Sequence, residues 1–243
     1  MSAVIAKDLV KNFGKVRALR GISFSVNEGE IFGLIGPNGA GKTTTMRILA
    51  TLIKPSAGEA YVFGFNVVND AERIRELIAY LPEDAEPYIR LTGYENLLYF
   101  AKIIAKNNEE AKSMVNLGAE IANLGQELYR KAGTYSKGMK RRLLVARTLM
   151  LRPKLAILDE PTSGLDVFAA IDVREIIKEY AKKYRTTIII SSHNMLEVEH
   201  LCTKVALISS GRIVAIGSPK EIIEKTESHN LEEAFVKLVR NQP

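Results

Sequence analysis

Gly36-Pro37-Asn38-Gly39-Ala40-Gly41-Lys42-Thr43 decides the fold, because it fits the phosphate-loop pattern G-x-x-x-x-G-K-[ST] and stands between the two elements that pattern requires. Before it, Gly29 to Ile35 reads as a short buried strand. After it, Met46, Leu49, Ala50 and Ile53 recur at helical spacing until Pro55 stops the pattern. Glycines between a strand and a helix let the backbone curl so that its N–H groups and the positive helix end face an anion. Lys42 then reaches outer phosphates, and the Thr43 hydroxyl is a ligand for Mg²⁺. The order G-x-G-x-x-G is missing here, which argues against a dinucleotide.

Further along, Leu155-Ala156-Ile157-Leu158-Asp159-Glu160 reads as a buried strand ending in two carboxylates, and Thr186 to Ile190 as another, closely followed by His193. A helical stretch from Val167 to Tyr184 separates them, the order of a βαβ unit, so a parallel sheet is expected. Parallel strands deliver their C-terminal ends to one edge, which brings Asp159 and Glu160 beside the phosphate loop. Asp159 is then placed to hold Mg²⁺ through its water, and Glu160 to polarise an attacking water as general base.

The segment from about 91 to 151 is helical in period with no convincing strand, so it is read as a helical lobe inserted into a core of about 1–90 and 152–218. Thr92-Gly93-Tyr94-Glu95 and Ser218-Pro219-Lys220-Glu221 are capping boxes that open helices, the second leading into a helical tail over about 219–243. Residues 3–6 and 22–26 alternate like strands. Val205–Ser209 and Arg212–Ile216 flank Ser210-Gly211 as an edge hairpin.

Composition narrows the function classes. With 243 residues, 47% apolar and 26% charged, the chain is expected to be one compact domain, and no apolar run approaches the ~20 residues that span a bilayer. The start of the chain lacks a signal core, so a cytoplasmic location is expected. One cysteine, Cys202, excludes an internal disulfide; with His200 alone beside it, it does not make a four-ligand metal site. The +6 charge permits nucleic acid, anionic lipid or nucleotide, and the basic run Lys137 to Arg142 is read as a solvated helix face.

Taken in order, these residues resemble the ABC ATPase family over nearly the whole chain. Gly36 to Thr44 look like Walker A, Tyr135-Ser136-Lys137-Gly138-Met139 like the signature (normally Leu-Ser-Gly-Gly-Gln), and Leu155 to Glu160 like Walker B. Ser163-Gly164-Leu165-Asp166 look like the D-loop, and His193 takes the switch-histidine position. The resemblance implies an α/β P-loop NTPase fold: a mostly parallel, RecA-like sheet core with an antiparallel β subdomain and an inserted helical subdomain. It implies ATP and Mg²⁺ as cofactors, with Glu160, His193 and Lys42 catalytic. Nucleotide would be bound by Phe13, through stacking on adenine, by Gly36, Pro37, Asn38, Gly39, Ala40, Gly41, Lys42, Thr43 and Thr44, and by Glu83, Ser136, Gly138 and Asp166. The metal would be held by Thr43, Asp159 and Glu83.

The family pattern also implies a head-to-tail homodimer, or a heterodimer with a similar ATPase, with ATP between Walker A of one protomer and the signature of the other. Three positions depart from it. Glu83 stands where the Q-loop glutamine is usual, Lys137 and Met139 replace Gly and Gln in the signature, and Phe13 replaces the commoner tyrosine. Together with Asn230-Leu231-Glu232-Glu233-Ala234-Phe235 they resemble the ATPases of ABC-2-type exporters. That implies a separate transmembrane permease, a peripheral place on the inner face of the cell membrane, a groove beside Glu83 for a permease helix, and no nucleic acid.

The alternative is a soluble ABC ATPase acting on nucleic acid, ribosomes or iron–sulfur assembly. Fewer than 100 residues separate Lys42 from Ser136, which leaves no room for a long coiled-coil arm, and there is one cassette per chain. A P-loop GTPase or small-molecule kinase has no use for the signature or D-loop.

Overall fold

The computed structural model describes residues 1–240. Two sheets share the core. Strands β1 (Ser2–Phe13) and β2 (Val16–Asn27) form a long antiparallel hairpin, to which β4 (Ala57–Val62) and β5 (Phe65–Asn66) add in the order β2-β1-β4-β5. Only residues 3–6 and 22–26 are read as strand from period-2 alternation, yet each strand runs for 12 residues. The reason lies in the register, which shifts between the Ala6 and Leu9 pairs where Asp8 is left-handed (φ 48°), so the inward-facing set changes parity along the strand.

The second sheet has the order β10-β9-β3-β8-β7-β6. It contains β3 (Ile31–Ile35), β6 (Ile78–Leu81), β7 (Leu155–Leu158), β8 (Thr187–Ser192), β9 (Lys204–Ser209) and β10 (Arg212–Gly217). All are parallel except β10, which pairs antiparallel with β9 through the Ser210-Gly211 turn, both turn residues having positive φ as a tight hairpin requires. Every residue of β3, β7 and β8 is buried, the signature of strands covered on both faces. The registers Ile35↔Ser192, Leu158↔Ile190 and Leu81↔Leu158 align four strand ends on one edge. Gly36, Asp159 and His193 follow those ends directly, and Glu83 comes one residue later, after Pro82.

Helix α1 (Lys42–Leu49) is shorter than the apolar face reaching Ile53 suggests, because Thr51 turns left-handed (φ 61°), and Ile53 packs half-buried on the core from the loop. The short α2 (Ala71–Arg75) precedes β6. The lobe is made of α3 (Gly93–Ile104), α4 (Asn108–Ala122) and α5 (Lys137–Leu149), with two 3₁₀ turns before α5 and one isolated bridge, Thr92 to Lys131. Both halves of the Thr92 capping box are made: Thr92 Oγ1 accepts from the Glu95 amide (3.1 Å), and the Glu95 carboxylate accepts from the Thr92 amide (2.7 Å). The Ser218–Glu221 box is likewise complete.

α5 joins lobe to core. Its Leu143, Ala146 and Met150 side pack among α3 and α4, while Leu144, Val145 and Leu149 pack with Leu158 and Ile177 of the core. The long α6 (Val167–Tyr184) and short α7 (Met195–Glu199) complete the crossovers on either side of β8, and α8 (Pro219–Lys225) and α9 (Leu231–Arg240) bring Ile222, Leu231 and Ala234 into the same cluster. Residues 241–243 of the expected tail lie outside the described residues.

Cys202 is 6% exposed in that cluster, and burial pushes its thiol well above the usual range. The native chain is therefore expected to resist thiol alkylation at pH 8 and to react fully once unfolded, which mass spectrometry of the intact chain reads directly.

Candidate functional site

The loop from Gly36 to Thr44 wraps the N-terminus of α1. Gly41 caps that helix at φ 111° with no side-chain hydrogen bond, so the first-turn amides are left for a ligand. Two glycines are sterically required. A Cβ on Gly36 would lie 2.0 Å from the Ile208 carbonyl oxygen, and one on Gly41 would meet Leu19 at 2.7 Å and the Ala18 carbonyl at 2.9 Å. Beside the loop opens a cleft of about 270 Å³, lined by Asn38, Gly39, Gly41, Lys42, Thr43, Thr44, Glu83 and Glu160, with Ala18 on its rim.

Lys42 is buried and donates to the Gly36 and Pro37 carbonyls (2.7 and 3.2 Å). Its Nζ also lies 3.1 Å from Glu160 Oε1, an ion contact outside hydrogen-bond geometry. The other Glu160 oxygen, Oε2, is 2.9 Å from His193 Nδ1, whose side chain is 48% exposed. Lys42, Glu160 and His193 thus form one chain of contacts across the foot of the cleft. Glu160 adopts a left-handed backbone (φ 48°), a conformation a non-glycine residue holds only when its surroundings dictate it.

The Asp159 carboxylate is fully buried. It accepts from the Ser191 hydroxyl (2.5 Å) and the Tyr80 hydroxyl (3.3 Å), and the same Ser191 oxygen accepts from the Glu160 amide (2.8 Å). Burial, reinforced by the negative Asp159, pushes the Tyr80 phenol up to about 12, so it stays a neutral donor. The cleft wall is thus oxygen-rich: the Thr43 hydroxyl and the Glu83 and Glu160 carboxylates are donors suited to a hard divalent cation, with Asp159 immediately behind. Among the described residues no cluster of three or more His, Cys, Asp or Glu forms a metal site by itself.

Ser136, Gly138 and Asp166 stand apart from this cleft. Ser136 caps α5 by accepting from the Met139 amide (3.2 Å), and Asp166 caps α6 by accepting from the Ala169 amide (3.0 Å). Gly138 lets the two helices close, since a Cβ there would come within 2.7 Å of Ala169 Cβ. Phe13 is half exposed at the end of β1, with the Lys11 ammonium 5.1 Å from its ring centre, outside the cleft wall.

Four residues at the site carry no motif signal. Ala18 and Ser191 lie on strands, and Tyr80 reads as an ordinary strand aromatic. Arg141, inside the basic run, is 8% exposed rather than solvated, and its Nη2 donates to the Glu83 and Glu160 carbonyls (3.2 and 3.1 Å). Burial pulls its guanidinium down from the ordinary value, while neighbouring acids oppose that pull. It clamps the segment after β6 to the segment after β7, a role visible only once α5 is docked.

Comparison with known proteins gives the family and the fold. Residues 19–163 match the family described as ABC transporter. The chain is 40% identical over 215 residues to the bacitracin transport ATP-binding protein BcrA of Bacillus licheniformis, covering 88% of this chain and 69% of that protein. It is 42% identical over 205 residues to the fluoroquinolones export ATP-binding protein Rv2688c of Mycobacterium tuberculosis, covering 84% and 66%. Its fold matches the ADP conformation of MJ1267, an ATP-binding cassette of an ABC transporter, with a TM-score of 0.83 and 27% identity over the whole of both chains.

Proposed function

The chain belongs to the ABC transporter family as one of its ATP-binding, ATP-hydrolysing subunits, and we propose that it drives export through a separate membrane-spanning permease. The observation that carries the chemistry is the chain of contacts Lys42–Glu160–His193 at the foot of the phosphate loop, buried at Lys42 and Glu160. Lys42 holds loop carbonyls and Glu160 in this state and transfers its charge to the outer phosphates of ATP when nucleotide enters. Glu160, relieved of Lys42, accepts the proton of the attacking water as general base, and His193 orients Glu160 through Oε2.

Thr43 and Glu83, with Asp159 behind them, would hold Mg²⁺, which when bound neutralises phosphate charge as the terminal bond breaks. Asn38, Gly39, Gly41 and Thr44 supply the cradle, and the Gly36, Pro37 and Ala40 backbone shapes it. Phe13, half exposed outside the cleft wall, offers a stacking face to adenine. Ser136 and Gly138 head α5 on a different face, with Asp166 beside them, so they serve nucleotide held by a second ATPase chain. That second chain, identical or similar, faces the first around nucleotide, and closure of the pair moves the permease.

Export follows the relatives named for fluoroquinolone export and bacitracin transport. Among the described residues no helix is long and apolar enough to cross a membrane. The test is to tag the chain in its own cells, solubilise the membranes in mild detergent and identify what co-purifies. A polytopic membrane protein in near-equal amount is the expected result. Recovery only with nucleic acid or ribosomes would overturn the transport reading.

A further inference from the structure

A second cleft, of about 380 Å³, opens at the opposite edge of the six-stranded sheet, where α5 leads into β7 and α6 into β8. Its walls carry three cations, Arg152, Lys154 and Arg185, three aromatic side chains, Phe63, Tyr180 and Tyr184, and one carboxylate, Glu28. Among the described residues none of the three cations lies within ion-pair distance of a carboxylate. The Lys154 ammonium is 6.0 Å from the Phe63 ring centre, and Tyr184 is held against Tyr180 with ring centres 4.6 Å apart.

The backbone marks the same place. Phe63, Arg152 and Arg185 have φ of 48°, 50° and 50°. Arg185 is the left-handed C-cap of α6, a place that Gly or Asn normally fills, and Arg152 lies in the loop beyond the Met150 C-cap of α5. Phe63 precedes Gly64 in the β4–β5 turn, where Asn or Asp is usual. A left-handed conformation is unfavourable for all three residue types, and three of them converge on one cleft.

We propose that this cleft binds a small anion carrying an aromatic ring, of the nucleoside monophosphate class. Arg152, Arg185 and Lys154 neutralise the phosphate, with guanidinium groups suited to bidentate contact, and Tyr184 and Phe63 supply ring faces. The volume falls in the range of small-molecule sites. The site is separate from the hydrolytic cleft, since Lys154, just before β7, and Thr187, at the start of β8, line it, whereas the ends of those strands border the phosphate loop. Its occupancy would give the ATPase a second, non-hydrolytic nucleotide input.

AMP is the probe, because it lacks the outer phosphates that Lys42 would hold. Titrated onto the full chain with the hydrolytic cleft saturated by a non-hydrolysable ATP analogue, AMP is expected to bind with one-to-one stoichiometry at up to millimolar concentration. Adenosine should bind at least about tenfold more weakly, for want of charge-assisted contacts. The double variant Arg152→Gly/Arg185→Gly should also lose at least about tenfold in AMP affinity while keeping its basal ATP hydrolysis. Its unfolding midpoint should be unchanged or higher, because glycine suits a left-handed backbone. AMP displaced by the ATP analogue, AMP binding unaltered in the double variant, or no saturable binding would each overturn the proposal.

Discussion

Glu160→Gln is expected to leave a folded chain that binds ATP and turns it over about 10² to 10⁴ times more slowly, the range a positioned general base contributes. The fold should survive because Gln keeps the shape, and Lys42 retains the Gly36 and Pro37 carbonyls as acceptors. Without proton abstraction the nucleotide-bound state persists, so the variant with ATP should elute as a dimer from a sizing column where the wild type dissociates after hydrolysis. Turnover within about tenfold of wild type would place the base elsewhere.

Lys42→Ala should have the largest effect on the protein as a whole. The Lys42 and Glu160 side chains are 5% and 4% exposed, so removing the lysine strands a buried carboxylate whose remaining contact is His193. Breaking a buried pair from one side costs about 3 to 5 kcal/mol, a large share of a typical folding stability of about 5 to 15 kcal/mol. ATP affinity should fall by roughly 10 to 100-fold as a charged phosphate contact is lost. Adding Glu160→Gln removes the stranded charge, so the double variant should recover most of the lost stability in urea melts without recovering activity. Equal melting of Lys42→Ala and the double variant would show that the ion contact contributes nothing to the fold.

The contrast between these variants shows what could be read in the sequence. The phosphate loop is legible because its chemistry is local: eight consecutive residues impose a turn, an amide cradle and a lysine, and the flanking strand and helix patterns supply the context. Asp159, Glu160 and His193 are legible for a related reason. Each follows closely on a short apolar run, and parallel strands share one edge. The capping boxes at Thr92 and Ser218 are equally local, resting on two side chains three residues apart.

The contacts that the sequence hides depend on partners far away in the chain. Lys42 and Glu160 are 118 positions apart, and nothing in either neighbourhood says that they touch. Ser191 reads as a strand residue until β7 and β8 pair, and Arg141 as a solvated cation until α5 docks against the segments carrying Glu83 and Glu160. The full length of β1 and β2 is hidden in the sequence because a bulge inverts the alternation on which period-2 patterns depend.

By itself the sequence determined the phosphate loop, the parallel strands that end beside it and the helix starts, because these follow from backbone conformation and hydrogen bonding over a few residues. Only the tertiary structure decided which charges are paired, that Gly36 and Gly138 are required by close approach, and that Arg152, Lys154 and Arg185 face one cleft. Burial and Coulomb energy depend on distance in space, which sequence separation does not supply.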